Sequence, residues 1–332
     1  MTSLGQAAGR VVPARAIPSG RVAIEAGAQP FIVDPFPRVR FGADEARVTA
    51  ASSRRVVAVV PATAVGGSTP VIVGDTDEAV GTIDIGVRLS DELHQVDSPA
   101  FDRDGNLYAT NSGMRGQTVP VSIFRIRPDG IREPVASGIV NATSLAFDPF
   151  GELCVTSRFD GTVYRVKRDG SVEKVASDLG VACGLAFAPD GTMYVGDRTG
   201  TLFRVNAAGR VIPFATLTPS IAAFHVAIGP DESVFVSGPT LSSRDVVFRV
   251  DRRGEVSVFA DGFGRPQGLA VDGDGTLHVA EALAGASGIY QVHGDGRREL
   301  VVAGEGLIGL AFHPARGVAV ASGDAVYLFP RW

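Results

Sequence analysis

This 332-residue sequence has only two cysteines and one tryptophan, and it lacks long apolar runs and any excess of positive charge. Its two cysteines, Cys154 and Cys183, fall at non-equivalent points of adjacent repeats and read as reduced thiols, so no disulfide framework holds the chain. A formal net charge of -5 excludes a general nucleic-acid binder, because phosphate contacts need clustered Lys and Arg. No apolar run approaches the roughly 18 residues needed to span a bilayer. The N-terminal stretch has no apolar core of the length a secretory signal requires, so the chain as written reads as cytoplasmic; a misassigned start would make it extracellular. A Gly-x-Ser-x-Gly elbow, a phosphate loop, a Cys-x-x-Cys pair and a dinucleotide fingerprint are all missing in the strand-to-helix context that gives them meaning.

What is present is turn chemistry and alternation, with 41 Gly, 20 Pro and 45% hydrophobic residues. The stretch from Gly184 to Val205, GLAFAPDGTMYVGDRTGTLFRV, recurs in variant form. Aligned on Phe101, Phe147, Phe187, Ile228, Val271 and Phe312, the copies are spaced by 46, 40, 41, 43 and 41 residues. Each aligned triplet is followed by a turn, such as Ala188-Pro189-Asp190-Gly191, whose residues supply the dihedrals of a tight reversal. Alternating runs such as Thr192 to Val195 and Thr201 to Val205 read as strands, and a more polar fourth strand follows, as in Val172 to Ala176. Four antiparallel strands per copy, with no convincing amphipathic helix, predict a six-bladed β-propeller. The fourth and sixth copies carry Glu232 and Arg316 where the others have the turn glycine.

The last copy ends on its third strand, so its fourth must come from upstream. Arg88 to His94 aligns with Lys174 to Gly180, which predicts that residues 84–90 pair with the last blade and close the ring. The expected organisation is all-β: a flexible tail over 1–9, an immunoglobulin-like β-sandwich over 10–87 and the propeller over 88–332.

The stretch VRFGADEARVTAASSRRVVAVVPATAVGGSTPVIV, with Phe41-Gly42, Val57 to Pro61 and Pro70 to Val73, resembles the IPT/TIG family of immunoglobulin-like domains. That resemblance implies a structural or adhesive module. The recurrent GLAF-x-PDG-x-x-YV form resembles the NHL-repeat and gluconolactonase-type propellers, also described as senescence marker protein or regucalcin-like. It implies the architecture, on which lactonases, other hydrolases, lyases and pure binding proteins all occur.

In such a ring the loops leading into the innermost strands and those leaving the second strands open on one face. The lead-in positions are Asp97, Thr143, Cys183, Phe224, Gln267 and Ile308. In the lactonase branch they hold a divalent ion, and Asp97-Ser98-Pro99-Ala100-Phe101 is similar to that branch's opening motif, with Asp for Glu. Thr143, Cys183 and Gln267 stand where the resemblance implies Asn, Asn and Asp, whereas a hard cation such as calcium wants several anionic or carbonyl oxygens around it. Asp97 reads either as a metal ligand, with Asp197 and Glu281, for calcium or zinc, or as a turn cap.

The lead-out positions are Asn111, Ser157, Asp197, Gly238, Glu281 and Ser322, with Arg158 and Arg198 directly after two of them. Asn111, Asp197, Glu281 and Gln267 are candidate ligand contacts, and the arginines offer forked donors to a carboxylate or phosphate. The same charges also fit a solvated rim. His225 stands where other copies have Ser or Gly, which makes it a candidate general base or a packed core histidine. The expected activity is binding of a small polar ligand or a protein segment at the propeller face, with a metal-assisted lactone or sugar-ester hydrolase and a lyase using His225 as alternatives.

Overall fold

The computed structural model describes residues 9–283, 285 and 287–332. Among these residues every regular element is a strand. They form two compact units, one of residues 9–88, 285, 287–289 and 300–305, the other of 89–283, 290–299 and 306–332.

In the first unit the strands Arg10–Val12, Arg21–Glu25, Arg55–Val59, Asp44–Ala51, Val39–Phe41, Gly67–Val73, Ala79–Ile85 and Arg15–Ala16 are hydrogen-bonded in that order. The strand Asp44–Ala51 serves two partners: its start pairs with Val39–Phe41 and its remainder with Arg55–Val59, with a register irregularity between Val48 and Ala50. Alternation decides what is buried. Val22, Ile24, Val56 and Ala58 from one side share a core with Val39, Phe41, Val71 and Ile83 from the other. Each large side chain there contributes about 1.5–3 kcal/mol by leaving water. Gly42, at φ 60°, takes the left-handed position in the two-residue reversal from Phe41 to Asp44.

The second unit repeats one motif. Its pattern is clear in the strands Ala182–Phe187, Met193–Asp197, Thr201–Val205 and Val211–Thr216, paired consecutively. The first two are buried nearly throughout, while the fourth is only half-buried along most of its length, as an outer strand must be. Gly191, at φ 85°, closes the first reversal, and Asp190 accepts a hydrogen bond from the Thr192 amide at 2.8 Å. Where the glycine is missing, Glu232 itself adopts φ 63°, and in the last copy the left-handed position passes from Arg316 to Gly317.

Innermost strands pack neighbour on neighbour: Ala100–Phe101, Ala142–Phe147, Ala182–Phe187, His225–Ile228, Pro266–Val271, Leu307–His313 and back to Ala100–Phe101. Close approach explains the small residues at their starts. A Cβ on Gly309 would lie 2.5 Å from the Ser98 Cα, and one on Gly184 2.6 Å from a Val226 methyl.

Five sheets of four strands stand separately, where the repeat count predicts six. The strands Pro266–Val271, Leu277–Glu281, Gly288–Val292 and Arg298–Ala303 keep the same order but end a twelve-stranded sheet, because Ala303 also pairs in parallel with Ala16. The last separate sheet runs Leu307–His313, Gly317–Ser322, Val326–Phe329 and then Val87–Ser90. The chain that follows stays on it: the Leu93 amide donates to Asp324 O at 3.0 Å and the Gln95 side chain to Ser322 O at 3.1 Å.

Candidate functional site

An antiparallel sheet brings the start of its innermost strand and the end of its second strand to the same edge. On that edge of the second unit the lead-in and lead-out residues meet, and hydrogen bonding separates them into two groups.

The lead-out carboxylates are committed to backbone. Asp197 accepts from the Val181 amide at 2.9 Å and the Thr199 amide at 3.1 Å through Oδ1, while Oδ2 takes the Thr199 hydroxyl. Glu281 accepts from the amides of Gly264 at 2.6 Å, Arg265 at 2.8 Å and Leu283 at 2.8 Å. Both side chains are buried, and each pins the loop that leads into its own sheet's innermost strand. Ser157 does the same with its hydroxyl, donating to Val140 O at 2.7 Å. Gly238 leaves room for Phe224, whose ring would lie 2.6 Å from a Cβ there.

The lead-in residues build the floor. Asp97, just ahead of the first sheet's innermost strand, and His225, which begins that of the fourth, are joined by a 2.6 Å bond between Oδ1 and Nδ1. Asp97 Oδ1 also accepts from the Ser98 amide at 2.7 Å. His225 is fully buried, and its Nε2 has no hydrogen-bond partner among the described residues. With Nδ1–H given to Asp97, Nε2 presents a lone pair. A buried polar atom left this way costs on the order of 1–3 kcal/mol unless a ligand supplies the partner.

Cys183 and Cys154 are free and buried. Burial pushes the Cys183 thiol up to about 12; the Phe224 amide and Arg158 oppose the shift, Asp97 adds to it and Arg198 opposes it. Burial also pushes Cys154 up to about 12. Neither is a thiolate nucleophile at neutral pH. Thr143 turns its hydroxyl onto Asn141 O at 2.8 Å. Gln267 is buried, and its backbone carbonyl accepts from the Ser237 hydroxyl at 2.5 Å. His278 is a packing residue, stacked edge-on to Phe312 and Trp332, and burial pushes its pKa down.

Positive charge gathers around Arg158. The Arg158 pKa is pushed down first by burial and then by Arg198 and Arg115, with Cys183 opposing. His94, bridged to Asn111 through the backbone, is pushed down by burial and by Arg158. Sequence reasoning missed Arg115 and His94. The available signal was the 46-residue spacing of the first copy, whose extra length is the loop that carries Arg115.

No family model matches the chain, and no curated protein does. Solved structures do resemble it. A putative gluconolactonase is 18% identical, covering 72% of this chain and 89% of that one with a TM-score of 0.59. The fold is that of a β-propeller. A calcium-binding regucalcin from Agrobacterium tumefaciens is 17% identical over 73% of this chain and 92% of that one, at a TM-score of 0.58. An auxiliary nutrient binding protein from Bacteroides thetaiotaomicron is 12% identical, covering 99% of both chains at a TM-score of 0.56.

The regucalcin raises the question of a divalent cation. Among the described residues no three His, Cys, Asp or Glu side chains are grouped as ligands for one. The expected trio is not brought together: Asp197 and Glu281 are each turned onto the amides of a different loop, and Asp97 onto His225. A hard cation needs several oxygens at one point, and this donor set does not fit it. No helix among the described residues is long and apolar enough to cross a membrane.

Proposed function

We propose that the protein binds a small polar ligand at the propeller mouth and does not catalyse its conversion. The observation that carries this reading is the commitment of Asp197 and Glu281 to backbone amides, which leaves arginines, not carboxylates, free to meet a ligand. A nutrient-binding protein similar along the whole chain supports it, although the likeness is one of fold. On this reading the ring counts six blades, with 266–303 as the fifth. The innermost strands that pass contact from one to the next around the ring support that count. The N-terminal unit, with its shared core and the Phe41-Gly42 turn, serves as an IPT/TIG-like module.

The test is turnover. A panel of aldonolactones and sugar esters, incubated with the protein and calcium, zinc or manganese, is expected to hydrolyse at the uncatalysed rate. Acceleration lost in Asp197→Ala or Glu281→Ala would replace this reading with a metal-assisted hydrolase.

A second reading has its own observation, the free Nε2 of a buried histidine held by a carboxylate. That arrangement suits a general base and so a lyase. Turnover of any panel member that disappears in His225→Ala while metal chelation leaves it intact would favour it.

A further inference from the structure

The binding reading leaves the chemistry of the ligand open, and the rim narrows it. Among the described residues Arg115, Arg158 and Arg198 have no ion pair, although Arg158 and Arg198 are only partly exposed. The acids that stand nearest the lead-in and lead-out positions are engaged: Asp97 by His225, Asp197 and Glu281 by backbone, and Asp245 by Thr240. Uncompensated guanidinium groups that have lost part of their water favour an anion strongly.

Arg198 and Arg115 are both near enough to act on the charge of Arg158, and backbone contacts fix where each starts. Arg158 and Arg198 follow equivalent second strands in adjacent sheets, and their amides bond back to Asn141 O at 3.4 Å and Val181 O at 3.3 Å. Asn141 also grips the Arg115 loop, its Oδ1 accepting from the Gly116 amide at 2.7 Å and its Nδ2 donating to Met114 O at 2.8 Å. Gly116 in turn lies against Phe159, whose ring would be 3.3 Å from a Cβ there.

A second observation is independent of charge. Each arginine has an exposed apolar residue adjoining it along the backbone: Met114 at 74% exposure precedes Arg115, Phe159 at 56% follows Arg158, and Ile221 at 46% follows Ser220, whose amide donates to Arg198 O. A simple inorganic anion or a sugar would leave this apolar area in water.

Resting on the binding reading above, we propose that the mouth takes an organic anion, its acidic group held by Arg115, Arg158 and Arg198 and its apolar body lying on Met114, Phe159 and Ile221. Selectivity then needs both parts. The acidic group sets position through forked hydrogen bonds, and the body adds area-dependent affinity.

The test uses the full chain and 8-anilinonaphthalene-1-sulfonate followed by fluorescence, with uncharged N-phenyl-1-naphthylamine as the comparison. One saturable site per chain is expected, weakening about tenfold in Arg158→Gln/Arg198→Gln and in Arg115→Gln, and with rising salt. Phe159→Ser is expected to weaken it about threefold, and the uncharged probe to bind about tenfold less tightly than the sulfonate. The thermal unfolding curve of each variant checks that it folds, and Arg115, on an exposed loop, keeps the proposal testable if the double variant does not. Sulfonate binding that is unchanged in the glutamine variants, or that never saturates, overturns the proposal. Glucose or gluconate binding that survives all three glutamine substitutions overturns it too while leaving the binding reading in place, whereas lactone turnover overturns that reading itself.

Discussion

Asp97 and His225 are 128 residues apart in the chain and 2.6 Å apart in the fold. The pair ties the innermost strand of the first sheet to that of the fourth, and both side chains are shielded from water. Removing one member strands the other: Asp97→Ala is expected to destabilise the protein by about 2–4 kcal/mol. Adding His225→Leu should return part of that loss, because the unpaired imidazole goes with it. Urea unfolding of the two singles and the double measures the coupling; strictly additive effects would mean that the bond contributes nothing.

Asp197→Ala and Glu281→Ala each expose amides that the carboxylate now satisfies. Each is expected to cost about 1–3 kcal/mol of stability, and to do so equally with calcium or with a chelator present. A loss of stability seen only with calcium present would assign these residues to an ion.

Both thiols are pushed up to about 12 by burial, so neither ionises at pH 8 in the folded state. Native protein is expected to resist a thiol-reactive disulfide reagent for as long as it stays folded, and to give its two equivalents, one for each free cysteine, once denatured. Rapid labelling of the native chain would place a cysteine at the surface.

Asp231 is held at about 2 by the Ser233 hydroxyl, with burial opposing and Arg249 adding to the shift. A depressed carboxylate contributes stability above its ordinary value of 3.8 that is lost as pH falls toward about 2. The group is largely exposed, so screening keeps the contribution small. Asp231→Asn is expected to lose this stabilisation at neutral pH and to flatten the fall in melting temperature between pH 4 and pH 2; an unchanged profile would contradict it.

Much of the propeller is legible in the sequence because its determinants are local. Asp190 and Gly191 carry the turn residues a tight reversal needs, and Thr192 to Val195 carries the β-branched and aromatic residues of a strand, here buried on both faces from Met193 on. Pairings between distant residues are not written locally. Nothing near Ala16 or Ala303 announces their bridge, which is why the separate sheets number five and not six. Nothing near Glu232 announces that it takes the left-handed position itself.

The site is less legible in the sequence for a related reason. Asp197 and Glu281 are chemically fit to hold a ligand, but an acid's role depends on which amides face it. Val181, Gly264 and Arg265 are supplied by loops whose path depends on the assembled sheets. His225 stood out in sequence as the one large residue among Ser and Gly, and its departure from the pattern does mark a special contact, the one to Asp97.

Calorimetric titration of the full chain with calcium chloride tests the central claim most directly, that the acids of the mouth serve the protein and its arginines serve the ligand. The account predicts no saturable heat. Stoichiometric binding abolished by Asp97→Asn, Asp197→Asn or Glu281→Gln would contradict it.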